Sequence, residues 1–153
     1  HPALLKELLD HPFLKAALPK TTGPELFNLS YLTDAQAKSN TTALAQEDIM
    51  ATLASFTTQV IIGGILQEAE GLAQVSVYIS GGGLHNPLLW QQLQSGMPAF
   101  NVASFASLGL DPDAKEACLF AVLANESLVG DPQNVSTLQD SPAVCMGKIS
   151  LAH

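Results

Sequence analysis

The residues best suited to chemistry follow an apolar stretch at 75–79 and read Ser80-Gly81-Gly82-Gly83. Three successive glycines carry no Cβ, so a flat or anionic ligand can approach the main-chain N–H groups closely. A helix that starts near Asn86 would turn its positive end towards the same place. The stretch predicts ligand recognition by the backbone, with a ligand-free strand-to-helix turn as the alternative.

Two further groups of polar residues precede predicted helices. Lys20, Thr21 and Thr22 lie just before Gly23-Pro24-Glu25, where proline suits a first helical turn and Glu25 favours its positive end. Lys115 and Glu116 lie in the first turn of a predicted helix at 113–129. On residue types alone, capping and the helix dipole explain the first group, and they explain the second as well as ligand binding does.

Hydrophobic periodicity supplies the elements that position these groups. Helices are predicted at 2–18 (with a break at 10–12), from Pro24 onwards, and at 45–70, 86–95 and 113–129. Strands are predicted at 75–79 and 100–105, and a loop at 33–46. A helix between two strands favours a right-handed crossover, so the strands should be parallel neighbours. The predicted fold class is a helix-rich α/β domain with a small, mostly parallel sheet.

Two details of packing also follow from the pattern. The helix at 113–129 is apolar on all sides after its first turn, which predicts that it is buried together with the thiol of Cys118. Cys145 is predicted to be a second buried free thiol, and free thiols suit a reducing cytoplasm. Gly63 and Gly64 favour close packing of the long helix against a neighbour.

Composition narrows the class of protein. The 153 residues are 47% hydrophobic with a net charge of −8, which predicts a single domain over 1–153 with a real core. Arginine is absent and the six lysines are scattered, so nucleic-acid binding and a polybasic membrane patch are not expected. No uninterrupted apolar run reaches the roughly 18 residues of a membrane span. A cytoplasmic protein without nucleic-acid or membrane partners is predicted.

Five stretches, taken in order, resemble the C-terminal part of the anhydro-N-acetylmuramic acid kinase family. They are His11-Pro12-Phe13 with residues 19–28, Asp48-Ile49-Met50-Ala51-Thr52-Leu53, residues 80–88, residues 108–117, and Gly147-Lys148-Ile149. The family belongs to the actin/hexokinase/Hsp70 ATPase superfamily. The resemblance therefore implies a ribonuclease-H-like lobe that forms one side of a nucleotide cleft.

The resemblance also implies roles for particular residues. Ser80, Gly81, Gly82 and Gly83 would contact the adenosine, and His85 and Asn86 would shape the start of the next helix. Glu116 matches the family's acidic residue that faces the sugar and orients the attacking water or sugar hydroxyl. Lys20, Thr21, Thr22 and Glu25 match the family's Lys-Ser-Thr-Gly-Arg-Glu stretch, on the substrate side. Thr21 replaces its serine and Pro24 its arginine, which puts any ionic contact of that arginine in doubt.

Two parts of the family pattern do not occur in these residues. They are the first phosphate loop, Gly-Thr-Ser-Met-Asp-Gly, and the Asp-Thr-Gly-Pro segment with the catalytic aspartate. Both belong to an N-terminal lobe that this chain lacks, and phosphoryl transfer depends on such parts. The chain alone is therefore expected to be inactive.

The resemblance implies a reaction that uses ATP and Mg²⁺, opens the 1,6-anhydro ring of anhydro-N-acetylmuramic acid and phosphorylates O6 in cell-wall recycling. No metal ligand is assigned within the chain. A levoglucosan-type kinase lobe and a non-catalytic nucleotide- or protein-binding module stay open as alternatives, and a homodimer is possible.

Overall fold

A computed structural model describes residues 1–131 and 149–150 of the chain. Its helices are α1 (Pro2–Leu9), α2 (Pro12–Lys15), α3 (Leu29–Lys38), α4 (Gln46–Glu68), α5 (Pro87–Gly96) and α6 (Lys115–Val129), and its strands are β1 (Ser76–Ile79) and β2 (Asn101–Ser104). Short 3₁₀ turns span Gly82–His85 and Phe105–Leu108. Cys145 and most of the final motif at 147–149 lie outside the described residues.

The chain divides into two compact units. The first contains His1–Tyr78 and Gly83–Ala103, and the second contains Ile79–Gly82 and Ser104–His153. The second unit holds part of the glycine turn and α6, whereas the first holds α1 to α5. A single domain over the whole chain stays a prediction.

The core of the first unit lies where α1 meets α3 and α4. Leu4 and Leu8, four residues apart on α1, are fully buried against Ala35 of α3. Tyr31 and Phe56 pack on this cluster, and the Tyr31 hydroxyl donates a hydrogen bond to the carbonyl of Leu8. Burial raises the pKa of Tyr31, and the nearby Glu7 carboxylate adds to this. The break predicted at 10–12 is confirmed, because α1 ends at Leu9 and α2 begins at Pro12.

A polar junction fixes α5 against α4. The Thr58 hydroxyl is buried and donates to Gln92 Oε1 at 2.7 Å, while Gln92 Nε2 donates to Ser55 Oγ at 3.0 Å. Next to it, a Cβ added to Gly96 would collide with Ile62, so the two helices approach closely there. This junction places α5, and with it the helix start at Asn86.

The strands are hydrogen-bonded parallel neighbours, as the predicted crossover requires. The amide of Asn101 donates to the carbonyl of Val75 at 3.1 Å, just ahead of β1. With only two strands described, the structure shows a helix-rich α/β chain with a small parallel sheet.

The helix predicted to start at Pro24 does not form. Residues 24–28 make turns, and α3 begins only at Leu29, where the Asn28 side chain accepts the amide of Tyr31 at 3.0 Å. Asn28 is thus the cap, because its side chain satisfies an amide at the helix start. The predicted loop at 33–46 is also wrong in its first part, since α3 continues to Lys38.

The predicted burial of α6 is wrong within the described residues. None of its residues is buried, and Phe120 and Val122 are 67% and 57% exposed. Cys118 is exposed rather than buried. An apolar helix is buried only where other elements cover it, and the described residues do not cover these side chains. Gly63 and Gly64 have no described atom within 4 Å of an added Cβ, so the close packing expected there is not seen.

One described helix, α4, is long and apolar enough to cross a membrane by length and composition, with a mean hydropathy of 1.7. A core helix of a globular protein passes the same test. In this structure α4 packs against both α1 and α5, and two of its threonines, Thr52 and Thr58, are buried. Length and composition alone therefore do not assign α4 to a membrane.

Candidate functional site

The glycine turn begins with a residue whose conformation only glycine adopts easily. Gly81 has φ +90°, and its amide donates to the carbonyl of Pro112 at 3.0 Å. A side chain at this φ would be strained. The positive φ of Gly81 therefore explains why a glycine stands there. Its N–H group is hydrogen-bonded to Pro112 within the second unit.

The next two glycines have no such structural explanation. An added Cβ at Gly82 would meet no described atom within 4 Å, and one at Gly83 would meet only Leu89 Cδ1 at 3.9 Å, an ordinary van der Waals distance. Neither residue has a positive φ. Gly82 and Gly83 therefore leave room for a ligand to approach their main chain.

His85 and Asn86 complete the predicted nucleotide-side group. His85 is exposed and ends the 3₁₀ turn Gly82–His85. Asn86 caps α5, because its Oδ1 accepts the amides of Leu88 and Leu89 at 3.0 and 3.3 Å. The side-chain oxygen of Asn86 is thus engaged in fixing the start of α5, and its role towards a nucleotide stays a prediction.

The substrate-side candidate Lys20 forms hydrogen bonds within the protein. Its ammonium donates to the carbonyls of Leu14 and Ala16 at 2.7 and 2.9 Å, and lies 5.4 Å from the centre of the Phe13 ring. These carbonyls belong to the end of α2, where a cation complements the helix dipole. Lys20 therefore ties residues 16–20 to α2, which accounts for its charge without a ligand.

Thr22 and Glu25 are joined in a local turn. Glu25 Oε1 accepts the amide of Gly23 at 2.6 Å and the hydroxyl of Thr22 at 3.3 Å. The Gly23 amide, followed by the amide of Glu25 itself, lowers the pKa of this exposed carboxyl below its ordinary value. Thr21 is exposed and forms no hydrogen bond with the part of the chain that the structure describes.

Three of the substrate-side candidates border an open cleft of about 740 Å³ in the first unit. Lys20, Thr21 and Thr22 line it together with Phe13 and Leu18, and the second half of α4, Leu72 and Val75 also contribute to its lining. Its lining is mostly apolar, with Glu68 as the carboxylate. The cleft is large enough for a small ligand, but Glu25 does not line it.

Glu116 lies in the first turn of α6 in the second unit and is exposed. Among residues 1–131 and 149–150 it has no hydrogen-bond or ion-pair partner. An exposed carboxylate at a helix start suits the helix dipole and leaves its oxygens open to a ligand.

The structure thus brings Lys20, Thr21 and Thr22 together, and it places Gly81, Gly82 and Glu116 in the second unit. Sequence reasoning missed the contact between Gly81 and Pro112. The segment Asp111-Pro112-Asp113 is typical of a tight turn before a helix, but it does not indicate which main-chain group that turn contacts.

A profile of the anhydro-N-acetylmuramic acid kinase family matches residues 1–150. The chain belongs to this family. The resemblance drawn from the five sequence stretches is thereby confirmed.

Members of the anhydro-N-acetylmuramic acid kinase family are similar to this chain along nearly all of it. It is 49% identical over 152 residues to the family member of Pseudoalteromonas atlantica, covering 98% of this chain and 38% of that relative. The member of Vibrio cholerae is 38% identical over 133 residues, covering 87% of this chain and 35% of the relative. The chain therefore spans well under half the length of these relatives.

Proposed function

We propose that this chain is the C-terminal part of an ATP-dependent anhydro-N-acetylmuramic acid kinase. The whole enzyme would open the 1,6-anhydro ring with water and phosphorylate O6, and this chain would form a ribonuclease-H-like lobe on the adenosine side. Family membership over residues 1–150 carries the proposal, and the names of the relatives support it. Coverage of 38% of the Pseudoalteromonas atlantica relative fits a chain that is part of a longer kinase.

The turn at Ser80–Gly83 fits a nucleotide in its chemistry. Gly82 and Gly83 leave their main chain open, so an adenine ring or ribose can lie against the backbone. Gly81 keeps the turn in shape through its bond to Pro112, and Asn86 fixes the following helix. ATP would supply the transferred phosphoryl group, while these residues would bind and orient its adenosine part.

On the sugar side, Glu116 is the proposed catalytic residue of this chain. Its open carboxylate would accept a hydrogen bond from the attacking water or a sugar hydroxyl and so orient it. Lys20, Thr22 and Glu25 would contribute by fixing the loop before α3, since Lys20 ties it to the end of α2 and Thr22 and Glu25 bond within it. Thr21, with its exposed hydroxyl at the cleft, is the member of this group best placed to contact substrate.

The described residues offer no set of ligands for magnesium. No group of three His, Cys, Asp or Glu side chains comes together within 1–131 and 149–150. We therefore assign no Mg²⁺ ligand to this chain. The general base and the phosphate loops are likewise proposed to lie in the rest of the enzyme.

An activity assay on two proteins tests the proposal. One is the 153-residue chain, and the other is the completed protein, in which this chain is joined to the part of the Pseudoalteromonas atlantica relative that it does not match. We expect ATP-dependent phosphorylation of anhydro-N-acetylmuramic acid by the completed protein and none by the chain alone. Levoglucosan serves as the second substrate, because Pro24 replaces the family's arginine. If the completed protein binds ATP but phosphorylates neither sugar, the enzyme proposal fails and a binding module is favoured.

Gly82→Ala should weaken ATP use without affecting folding. The added methyl group has open space in the protein but would push the nucleotide away, so we expect KM for ATP in the completed protein to rise about tenfold, as for about 1.4 kcal/mol of lost binding. The matched variant Gly81→Ala should instead lower the free energy of unfolding by about 1–2 kcal/mol, because of its positive φ. Steady-state kinetics and urea unfolding measure the two effects. Equal KM values for Gly82→Ala and wild type would argue against the nucleotide role.

A further inference from the structure

A backbone hydrogen bond joins the glycine turn to the segment before α6. The amide of Gly81 donates to the carbonyl of Pro112 at 3.0 Å, and both residues belong to the second unit. The bond links positions 31 residues apart, so it ties together two parts of the chain that are distant in sequence. Because Gly81 has no side chain, this bond acts directly on the main chain that would face the nucleotide.

The position of the Pro112 carbonyl depends on a tight turn built by Asp111. Asp111 Oδ1 accepts the amide of Asp113 at 2.9 Å, and the Asp111 carbonyl accepts the amide of Ala114 at 3.2 Å. Asp111 accepts both bonds, one with its side chain and one with its main chain, and Pro112 lies within the turn that they close. Asp and Asn side chains are the usual builders of such turns, because their oxygen reaches the amide two residues on.

The same turn leads into the helix that carries Glu116. The amide of Ala114 donates to the Asp111 carbonyl, and Ala114 is the N-cap residue of α6, without a side-chain capping bond. Ahead of the turn, Gly109 closes the Phe105–Leu108 turn with φ +75°, and the amide of Leu110 donates to the carbonyl of Phe105 at 3.3 Å. Backbone hydrogen bonds thus fix the chain both before Asp111, at Leu110, and after it, at Ala114.

We infer that Asp111 is a positioning residue for the nucleotide-side turn: it holds the Pro112 carbonyl in place, and that carbonyl fixes the backbone of Gly81. The identity of the ligand rests on the proposed function, whereas the contact itself does not. A turn that recognises its ligand by main-chain atoms has no side chain to compensate for a shift, so its placement governs affinity. Asp111 would affect ATP binding without touching ATP.

The first arm of the test measures amide hydrogen exchange at Gly81 in the 153-residue chain by NMR. Asp111→Ala removes the side-chain bond, and we expect Gly81 to exchange about five times faster, in line with the loss of one hydrogen bond. Asp111→Asn keeps an oxygen at the same place and should restore slow exchange. Ser107→Ala is the matched control, because it removes a hydrogen bond to the Ser104 carbonyl in the same segment without involving the turn. Unchanged exchange at Gly81 in Asp111→Ala would overturn the inference.

The second arm measures kinetics in the completed protein. Asp111→Ala should raise KM for ATP about fivefold and leave KM for the sugar unchanged, whereas Asp111→Asn should match wild type. Loss of general stability would not separate the two KM values in this way. Faster exchange at Gly81 with an unchanged KM for ATP would show a structural contact only and would refute the positioning role. If the wild-type completed protein phosphorylates neither sugar, the proposed function fails, and the exchange result still decides whether Asp111 holds Gly81.

Discussion

Glu116→Gln in the completed protein is expected to lower kcat for sugar phosphorylation by about 100-fold. Glutamine has nearly the same size but no charge, so it accepts a hydrogen bond from a water or hydroxyl more weakly and orients it poorly. Since Glu116 is exposed and has no partner among the described residues, folding should hardly change. Single-turnover measurements with saturating ATP and sugar would separate the chemical step from binding.

The alternative role for Glu116 is a carboxylate that serves only the helix dipole. That role predicts a small loss of stability and an unchanged kcat, because an exposed charge at a helix start contributes little. Glu126→Gln, on the same helix, is the matched control and should leave kcat as in wild type. A kcat for Glu116→Gln equal to that of Glu126→Gln would remove Glu116 from the proposed catalytic group.

Leu8→Ala is expected to lower the free energy of unfolding of the chain by about 3 kcal/mol. The Leu8 side chain is 0% exposed and packs with Leu4 and Ala35 at the meeting of α1, α3 and α4. Truncation would leave a cavity that these helices cannot close without moving. Urea unfolding followed by circular dichroism measures the change.

The same substitution at an exposed leucine is the control for this core. Leu29 is 74% exposed at the start of α3, so Leu29→Ala should change the free energy of unfolding by less than about 0.5 kcal/mol. Similar losses for the two variants would mean that α1 does not form the core seen in the structure. In that case the description of the first unit would be wrong.

Most elements could be predicted because their patterns are local. Residues 45–70 show the three-and-four spacing of α4, and residues 75–79 alternate as in β1. Asn86-Pro87 indicates the start of α5, because it supplies both a capping side chain and a proline in the first turn. Each of these signals lies within a few residues of the element it specifies.

The false helix start at Pro24 shows where local signals compete. Gly23-Pro24-Glu25 and Asn28 are both acceptable starts, but the Glu25 carboxylate folds back onto the Gly23 amide, and Asn28 caps α3 instead. Which of two caps is used depends on the packing that follows. In this chain α3 packs on α1, and its position is set there.

Contacts between distant segments explain the other misses. Apolarity on all sides of α6 says nothing about which element covers it, and Phe120 is exposed among the described residues. The bond from Gly81 to Pro112 joins two main-chain groups, so no pattern of side chains predicts it. For the candidate site, the sequence indicated the glycines and Glu116. Only the structure showed that Lys20 bonds to the end of α2 and that Thr22 and Glu25 bond within their own turn.

The most direct test of the proposed kinase is the mass of its product. The completed protein would be incubated with anhydro-N-acetylmuramic acid and ATP in water enriched in ¹⁸O, and the sugar then examined by mass spectrometry. We predict a ring-opened sugar that carries one phosphate at O6 and one oxygen from water at the anomeric carbon. A sugar that stays unphosphorylated although ATP binds, or a phosphorylated sugar whose anhydro ring is intact, would contradict the proposal.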